Sequence, residues 1–374
     1  MNRRGFLRGT AVAGGVATAG CLERLGFEEQ SAWANPPIVE DRPDAVYLPA
    51  GSEMMDTYGR AADGDVALEV TYTIPHRFWI PGEGGSLVDV DPDDSLHLML
   101  TVWDRETDTV LPVNVQYEIL RDGDPIDGVG NSPWPMLAQR MGFHYGDNVP
   151  LPDEGSYTVR ARVGPVDAVR TGAFEGRLDT TATLTVDFEY AESDVHDIEV
   201  ELIDEERRGT RDALPLMEHG HHESGSETDH DDHSSDHDVG PAPTSRGPSI
   251  DDLPGDVLGT ERSGDAKISA VVTDDDRYSD GSTSLAVCPR TPYNDVILPF
   301  TSLSVAIERE GTVVHEGTLS ETLDDEFGHH YGTGLDRLES GDEITVSIDT
   351  PPQVSRHDGY ETAFFDFEDV TYSV

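Results

Sequence analysis

The sequence predicts an all-β protein in which two antiparallel β-sandwiches are joined by a disordered linker rich in His and Asp. Short runs such as residues 66–74, 110–119 and 157–163 alternate as strands do, and clusters of Asp, Gly or Pro separate them. No long stretch keeps a helical period. Many short strands at roughly even spacing are typical of β-sandwiches.

The tripeptide His-Tyr-Gly occurs twice, and both copies have the same surroundings. One copy begins at His144 and the other at His330, and a glycine follows each histidine after eleven residues, at Gly155 and Gly341. A strand-like run precedes each copy, and another follows it. Self-similarity at an offset of about half the chain indicates the duplication of a whole domain.

Shifts in composition divide the chain into six parts. These are a signal (1–20), a tether (21–44), the first sandwich (45–192), a charged connector (193–216), a low-complexity linker (217–254) and the second sandwich (255–374). The linker has too few apolar residues to build a core, so we expect it to be disordered.

The first residues predict export. Arg3 and Arg4 begin a twin-arginine signature, and the apolar stretch 9–20 is too short for a membrane span, which needs about 20 residues. Ala19-Gly20-Cys21 matches a lipobox, so we expect Cys21 to carry lipid; the alternative is an ordinary cleaved signal with an incidental cysteine. The predicted location is the extracytoplasmic face of the cell membrane, reached in the folded state.

Charge and cysteine content narrow the class of protein. The formal net charge is −50, and Lys267 is the only lysine. A dense carboxylate surface with Arg in place of Lys is typical of haloarchaeal proteins. It excludes nucleic-acid binding, which needs a basic surface. Once Cys21 is modified, Cys288 has no disulfide partner, and we expect it to be a buried core residue.

The surroundings of the first His-Tyr-Gly resemble the bacterial periplasmic iron-transport protein family. The segments that carry the resemblance are Leu96–Met99, Pro133–Met136 and Gly142–Val149. Members of that family are immunoglobulin-like β-sandwiches that bind copper or other divalent metals and accompany an iron permease. The resemblance therefore implies a non-enzymatic metal-binding protein with a membrane permease as its partner.

The resemblance also implies a metal site in the first repeat. Its candidate ligands are His97, Met136 and His144, and Met99 stands where the family has a carboxylate, which makes the donor set softer. The family's late histidine has no counterpart here, because residues 169–172 read Val-Arg-Thr-Gly.

The second repeat keeps the elements that the first lacks. It has His330 and the late His357, but no counterpart of the first repeat's earlier histidine or of its Pro-x-Met methionine. We therefore expect the repeats to form an internal pseudo-dimer, with His357 placed near the first repeat. Whether the second repeat also has a site of its own stays open.

The chemistry of the donors favours iron or copper, with zinc as a further candidate. Imidazole and thioether groups suit copper, particularly Cu(I), and imidazole also suits iron and zinc. A buried His or Met can equally be ordinary core, as we expect for Met141 and as remains the alternative for Met99. His76 is a weaker candidate ligand, and His196 and His315 are most simply solvent-facing.

The linker contains a second metal signal. Six histidines lie there among Asp and Glu residues, namely His219, His221, His222, His230, His233 and His237. Flexible imidazoles and carboxylates can chelate metal ions without a fold. The alternative is a solvated acidic spacer.

Three functions remain in view. The favoured one is a lipid-anchored protein that captures a metal ion at a His/Met site and passes it to a permease. The second is a cell-surface scaffold or adhesion protein without a specific metal site. The third, a metal-dependent oxidoreductase, is disfavoured because the chain has no His-Glu-x-x-His or Gly-x-Ser-x-Gly motif.

Overall fold

The structure is a computed structural model that describes residues 36–82, 85–217, 239–275, 277–278 and 283–374. The predicted signal, the lipidation site Cys21 and the six linker histidines lie outside these ranges. No helix within the described ranges is long and apolar enough to cross a membrane.

Strands dominate the described part of the first repeat. They are β1 (Gly51–Glu53), β2 (Asp56–Asp63), β3 (Val66–Thr73), β4 (Phe78–Ile80), β5 (Ser86–Val88), β6 (Leu96–Asp104), β7 (Thr109–Val110), β8 (Val115–Arg121), β9 (Asp124–Pro125), β10 (Trp134–Ala138), β11 (Gly142–Val149), β12 (Gly155–Val163), β13 (Val169–Arg170), β14 (Ala182–Tyr190) and β15 (Val200–Leu202). A single turn of 3-10 helix covers Gly172–Phe174, and a short helix, α1, covers Glu192–His196.

The second repeat is built in the same way. After a 3-10 turn at Ile250–Asp252, its strands are β16 (Asp256–Ser263), β17 (Ala266–Thr273), β18 (Thr283–Arg290), β19 (Ser302–Arg309), β20 (Thr312–Thr318), β21 (Ser320–Asp324), β22 (Gly328–Leu335), β23 (Glu343–Thr350), β24 (Ser355–Arg356) and β25 (Val370–Ser373). The predicted all-β class is confirmed.

Each repeat pairs a large sheet with a four-stranded one. The first repeat has the order β2-β3-β6-β11-β10-β24-β4-β5, with β7 beside β6, and a second sheet β14-β12-β8-β9. The second repeat has β13-β21-β22-β18-β17-β16 and β20-β19-β23-β25. Buried and exposed residues alternate along the whole of β14, because one face of that strand meets the core and the other meets solvent.

The two repeats exchange short strands. β24, from the second repeat, lies in the first repeat's sheet between β10 and β4, parallel to β10. In return β13, from the first repeat, pairs in parallel with β21 of the second. The backbone continues the match: His357 N–H donates to the Leu137 carbonyl over 3.1 Å, and Thr171 N–H donates to the Leu323 carbonyl over 3.0 Å.

The exchanged β24 is buried and fixed by its neighbours. The Arg356 side chain is 1% exposed; its guanidinium lies 4.1 Å from the centre of the Phe365 ring and donates to the Phe364 carbonyl over 3.1 Å. Burial lowers the pKa of Arg356 to about 10. Contacts within the second repeat therefore fix β24, and its pairing with β10 places the next residue, His357, against the first repeat.

The later part of the expected disordered linker is packed against the repeats. In residues 239–254, Ala242 and Leu253 are buried. The Ser245 hydroxyl oxygen accepts the Phe143 N–H over 2.6 Å. The structure differs from the sequence expectation here because Ala242 packs against β3 and β6, Leu253 packs against β17 and β18, and the Ser245 hydroxyl bonds to β11. The domain boundaries drawn from composition stay predictions.

Candidate metal centre

Neighbouring strands bring the candidate ligands to one face of the large sheet. Side chains two residues apart in a strand share a face, so His144, Gly146 and Asn148 lie on the same side of β11. Met136 on β10 is paired directly with His144, and His97 on β6 is paired with Asn148. Gly146 thus lies between a histidine and a methionine that approach from opposite sides.

His357 completes the group from the second repeat. Its Nε2 lies 3.3 Å from Sδ of Met136. Its ring centre is 5.3 Å from that of His144 and 5.7 Å from that of His97. The structure therefore brings together four of the six site residues predicted outside the linker.

His76, a weak candidate in the sequence, joins them. Its Nε2 lies 3.0 Å from Nδ1 of His357, and its ring centre is 4.1 Å from that of His97. One ring nitrogen from each of these three histidines lies within 4.8 Å of the other two. His76 follows β3 in a buried loop and belongs to no motif of the resemblance, so only its residue type could have indicated it.

Local hydrogen bonds fix which ring nitrogen carries the proton. Nδ1 of His144 and Nδ1 of His76 each face the backbone carbonyl two residues earlier, over 3.1 and 3.0 Å. Nδ1 of His97 faces Oδ1 of Asn148 over 2.9 Å, and the Asn148 amide nitrogen itself donates to the His76 carbonyl. Because a carbonyl oxygen only accepts, each Nδ1 is the donor, and Nε2 keeps its lone pair.

The proton position on the His357 ring follows from its contact with His76. Since Nε2 of His76 has a lone pair, Nδ1–H of His357 donates to it, and Nε2 of His357 is left facing Met136. His76 therefore positions His357 in the way that outer hydrogen-bond partners position metal-ligating histidines.

Burial keeps two of these imidazoles, those of His97 and His357, neutral. Desolvation, followed by the neighbouring His76, holds the pKa of His97 and of His357 well below the usual value. Nε2 of His97 is buried and has no hydrogen-bond partner among the described residues. A buried polar atom without a partner costs about 1–3 kcal/mol. A metal ion coordinated by this nitrogen would remove that cost, so the residues fit a metal.

The His-Tyr-Gly motif has a separate role for each residue. The histidine reaches the cluster, and the tyrosine anchors the strand, because the Tyr145 hydroxyl accepts the Val113 N–H and donates to the Val113 carbonyl. The glycine provides clearance: a Cβ on Gly146 would lie 2.7 Å from Nε2 of His97 and 3.1 Å from Sδ of Met136. No larger residue fits at that position without displacing the cluster.

In the second repeat, a tyrosine fills the corresponding space. The Tyr278 hydroxyl lies 2.8 Å from Nε2 of His330, and a Cβ on Gly332 would lie 1.7 Å from that hydroxyl oxygen. Thr322 is paired with His330, where the first repeat has the methionine. His330 therefore does not join the cluster, and burial lowers its pKa to about 4.

An ion pair reinforces this difference. Thr171 follows β13 as His357 follows β24, and its hydroxyl donates to Asp324 over 2.6 Å. Nη1 of Arg277 donates to the same carboxylate oxygen over 2.6 Å. The Asp324 carboxylate oxygen is thus bonded to Thr171 and Arg277, so it is not available as a ligand for a second cation beside His330. Within the described residues, the second repeat completes the first repeat's cluster instead of forming its own.

Of the other residues that the sequence analysis discussed, Met99 lies beside the cluster and two histidines lie away from it. Met99 is buried on the same face of β6 as His97, and its side chain lines a cavity beside the cluster. His196 lies in α1 and His315 on β20, both partly buried and away from the cluster.

Comparison with known proteins gives limited similarity. A family model described as a domain of unknown function, DUF7350, matches residues 251–373, which is the second repeat. No curated protein matches the chain.

Three solved structures are similar over 37% of this chain. A copper-bound variant of FetP from uropathogenic Escherichia coli has 18% identity and a TM-score of 0.28 over 98% of its own length. FetP as isolated has 16% identity and a TM-score of 0.27 over 97%. A copper-bound variant of P19 from Campylobacter jejuni has 14% identity and a TM-score of 0.29 over 98%. Similarity at this level assigns neither a family nor a ligand to this chain.

Proposed function

We propose that this chain is a non-enzymatic, extracytoplasmic metal-binding protein that holds one ion between its two repeats. The ligands are Nε2 of His97, His144 and His357 and Sδ of Met136. The observation that carries the proposal is the position of His357, which the exchanged β24 delivers to three candidate ligands of the other repeat.

Copper is the ion that this donor set suits best. Three neutral imidazoles bind Cu(II) and Cu(I), and a thioether favours Cu(I). The absence of a carboxylate among the four ligands makes the set softer than one selective for iron. Iron and zinc are the competing ions in the test below.

Transport is the role that we propose for the bound ion. The sequence resemblance to periplasmic iron-transport proteins supports delivery to a membrane permease. The six histidines of residues 218–238 would collect ions, and lipid on Cys21 would keep the protein at the membrane. Mass spectrometry of the native N-terminal peptide tests the anchor: we expect a modified Cys21, and an unmodified mature terminus further along the chain would contradict it.

The metal site is tested by Cu(II) titration of the full chain with the six linker histidines replaced by Ser. These replacements are needed because linker binding would mask the site. We expect one equivalent of tightly bound Cu(II), with iron and zinc competing weakly. The His144→Ala variant should lose this equivalent and keep its fold.

The matched control is His315→Ala, on a strand away from the cluster. It should bind Cu(II) as the parent does. Unchanged stoichiometry in the His144→Ala variant would refute the site and favour a surface scaffold or adhesion role.

A further inference from the structure

The methionines of this chain are concentrated around one cavity. The chain has seven methionines, and five of them line the cavity beside the histidine cluster, namely Met54, Met55, Met99, Met141 and Met217. A sixth, Met136, is in the cluster itself. Ordinary core packing would scatter these flexible side chains through two sandwiches, so their concentration needs a local reason.

The five methionines that line this cavity, here called the methionine cavity, differ in how exposed they are. Met54, Met55 and Met217 are partly exposed. Met99 and Met141 are buried, at 3% and 4% exposure. The cavity ends against His144 and His357, and Met136 behind them is fully buried. Thioethers therefore line both the more exposed part of the cavity and its buried part beside the cluster.

The charged groups on the lining are largely paired. Arg77 donates to Asp358 over 2.8 Å, and Arg140 is paired with Glu201. Arg140 also donates to Sδ of Met54 over 3.4 Å, so this sulfur faces a polar partner. Glu53 is the remaining carboxylate on the lining. A site for a hard divalent ion needs several oxygen ligands, whereas five side chains of this lining offer a thioether sulfur.

We propose that the methionine cavity is a second metal site, which binds the soft monovalent ion Cu(I) and leads it to the histidine cluster. Thioethers are neutral, soft ligands that select Cu(I) over the divalent ions common in proteins. The destination of the ion rests on the proposed function, but binding in the cavity does not. No electron transfer is involved, since copper enters and leaves the cavity as Cu(I).

The test replaces four thioethers and leaves the cluster intact. In the chain whose six linker histidines are Ser, the variant Met54→Leu, Met55→Leu, Met141→Leu and Met217→Leu keeps side chains of similar volume. Cu(I) binding is measured without oxygen against bicinchoninate, in concentrated sodium sulfate so that chloride does not compete. The parent should bind two equivalents of Cu(I), one in the cavity and one at the cluster. We expect the variant to lose the cavity equivalent and to keep Cu(II) binding at the cluster unchanged.

A second measurement does not depend on that variant folding. In the double variant His144→Ala and His357→Ala, which disables the cluster, X-ray absorption of bound Cu(I) should show two or more sulfur neighbours. Bound Cu(I) with no more than one sulfur neighbour, or two equivalents of Cu(I) still bound by the leucine variant, would show that the methionines only fill space.

The two proposed sites are distinguished by different measurements. The four-leucine variant should still bind one equivalent of Cu(II) at the cluster. The variant without His144 and His357 should still bind Cu(I) through sulfur in the cavity.

Discussion

Nε2 of His357 lies 3.3 Å from Sδ of Met136, although 221 residues separate the two in the chain. The parallel pairing of β24 with β10 produces this contact. Because one ligand comes from each side of the strand exchange, ion binding and the association of the repeats are coupled. An ion that binds only the folded state would stabilise the docked repeats.

The His357→Gln variant should therefore lose metal affinity. Glutamine retains a polar side chain but offers no imidazole nitrogen, so we expect Cu(II) affinity to fall by about tenfold or more. Titration of the chain without linker histidines measures this, and His315→Gln is the control. Equal affinities in the two variants would exclude His357 as a ligand.

Two glycines make a matched pair of predictions. Gly146→Ala should weaken Cu(II) binding and destabilise the protein by about 1–3 kcal/mol, because its Cβ would crowd His97 and Met136. Gly332→Ala should also destabilise it, through the Tyr278 hydroxyl, without changing Cu(II) affinity. Denaturant unfolding and Cu(II) titration of both variants separate the effects. Weakened Cu(II) binding in the Gly332→Ala variant would mean that the second repeat's own His-Tyr-Gly also takes part in binding the ion.

Asp324→Asn should destabilise the fold by about 3 kcal/mol, since it breaks a buried ion pair. The Asp324 side chain is fully buried and accepts hydrogen bonds from Arg277 and from Thr171 of the exchanged element. Asp325→Asn is the control, because its side chain is exposed and Asn can still accept the Ala173 N–H. Denaturant unfolding at constant salt measures both. Similar losses of stability would show that the buried pair contributes little.

His330 should make stability depend on pH in acid. Burial lowers its folded pKa to about 4, and an unfolded histidine has a pKa of about 6.5. Between these values the unfolded chain binds the extra proton, so this contribution to stability falls as the pH drops from about 6.5 to about 4, and then levels off.

The comparison is with His330→Asn, in metal-free protein. The variant should be less stable than the parent at neutral pH, because it loses the contact with Tyr278. The difference in the free energy of unfolding should narrow as the pH falls through that window. A difference that stays constant or widens would contradict the lowered pKa of His330 in the folded protein.

The sequence alone determined the all-β class and the duplication. Alternating burial along β14 follows from side chains that point to opposite faces, which is a local property of a strand. The resemblance around His144 likewise named three ligand candidates that adjacent strands bring together. The resemblance could not explain why Gly146 follows Tyr145 in the motif. A glycine is needed there to leave space for His97, which lies nearly fifty residues earlier in the chain.

Only the tertiary structure decided which groups complete the histidine cluster of the first repeat and which groups occupy the corresponding space beside His330 in the second. β24 and β13 are two residues long, too short to have a periodic pattern, so their pairing partners are not encoded locally. The positions of His76 and of Tyr278 depend on loops whose residues show no regular spacing. Contacts of this kind are fixed by the packing of whole sheets, and the sequence states only which side chains are available for them.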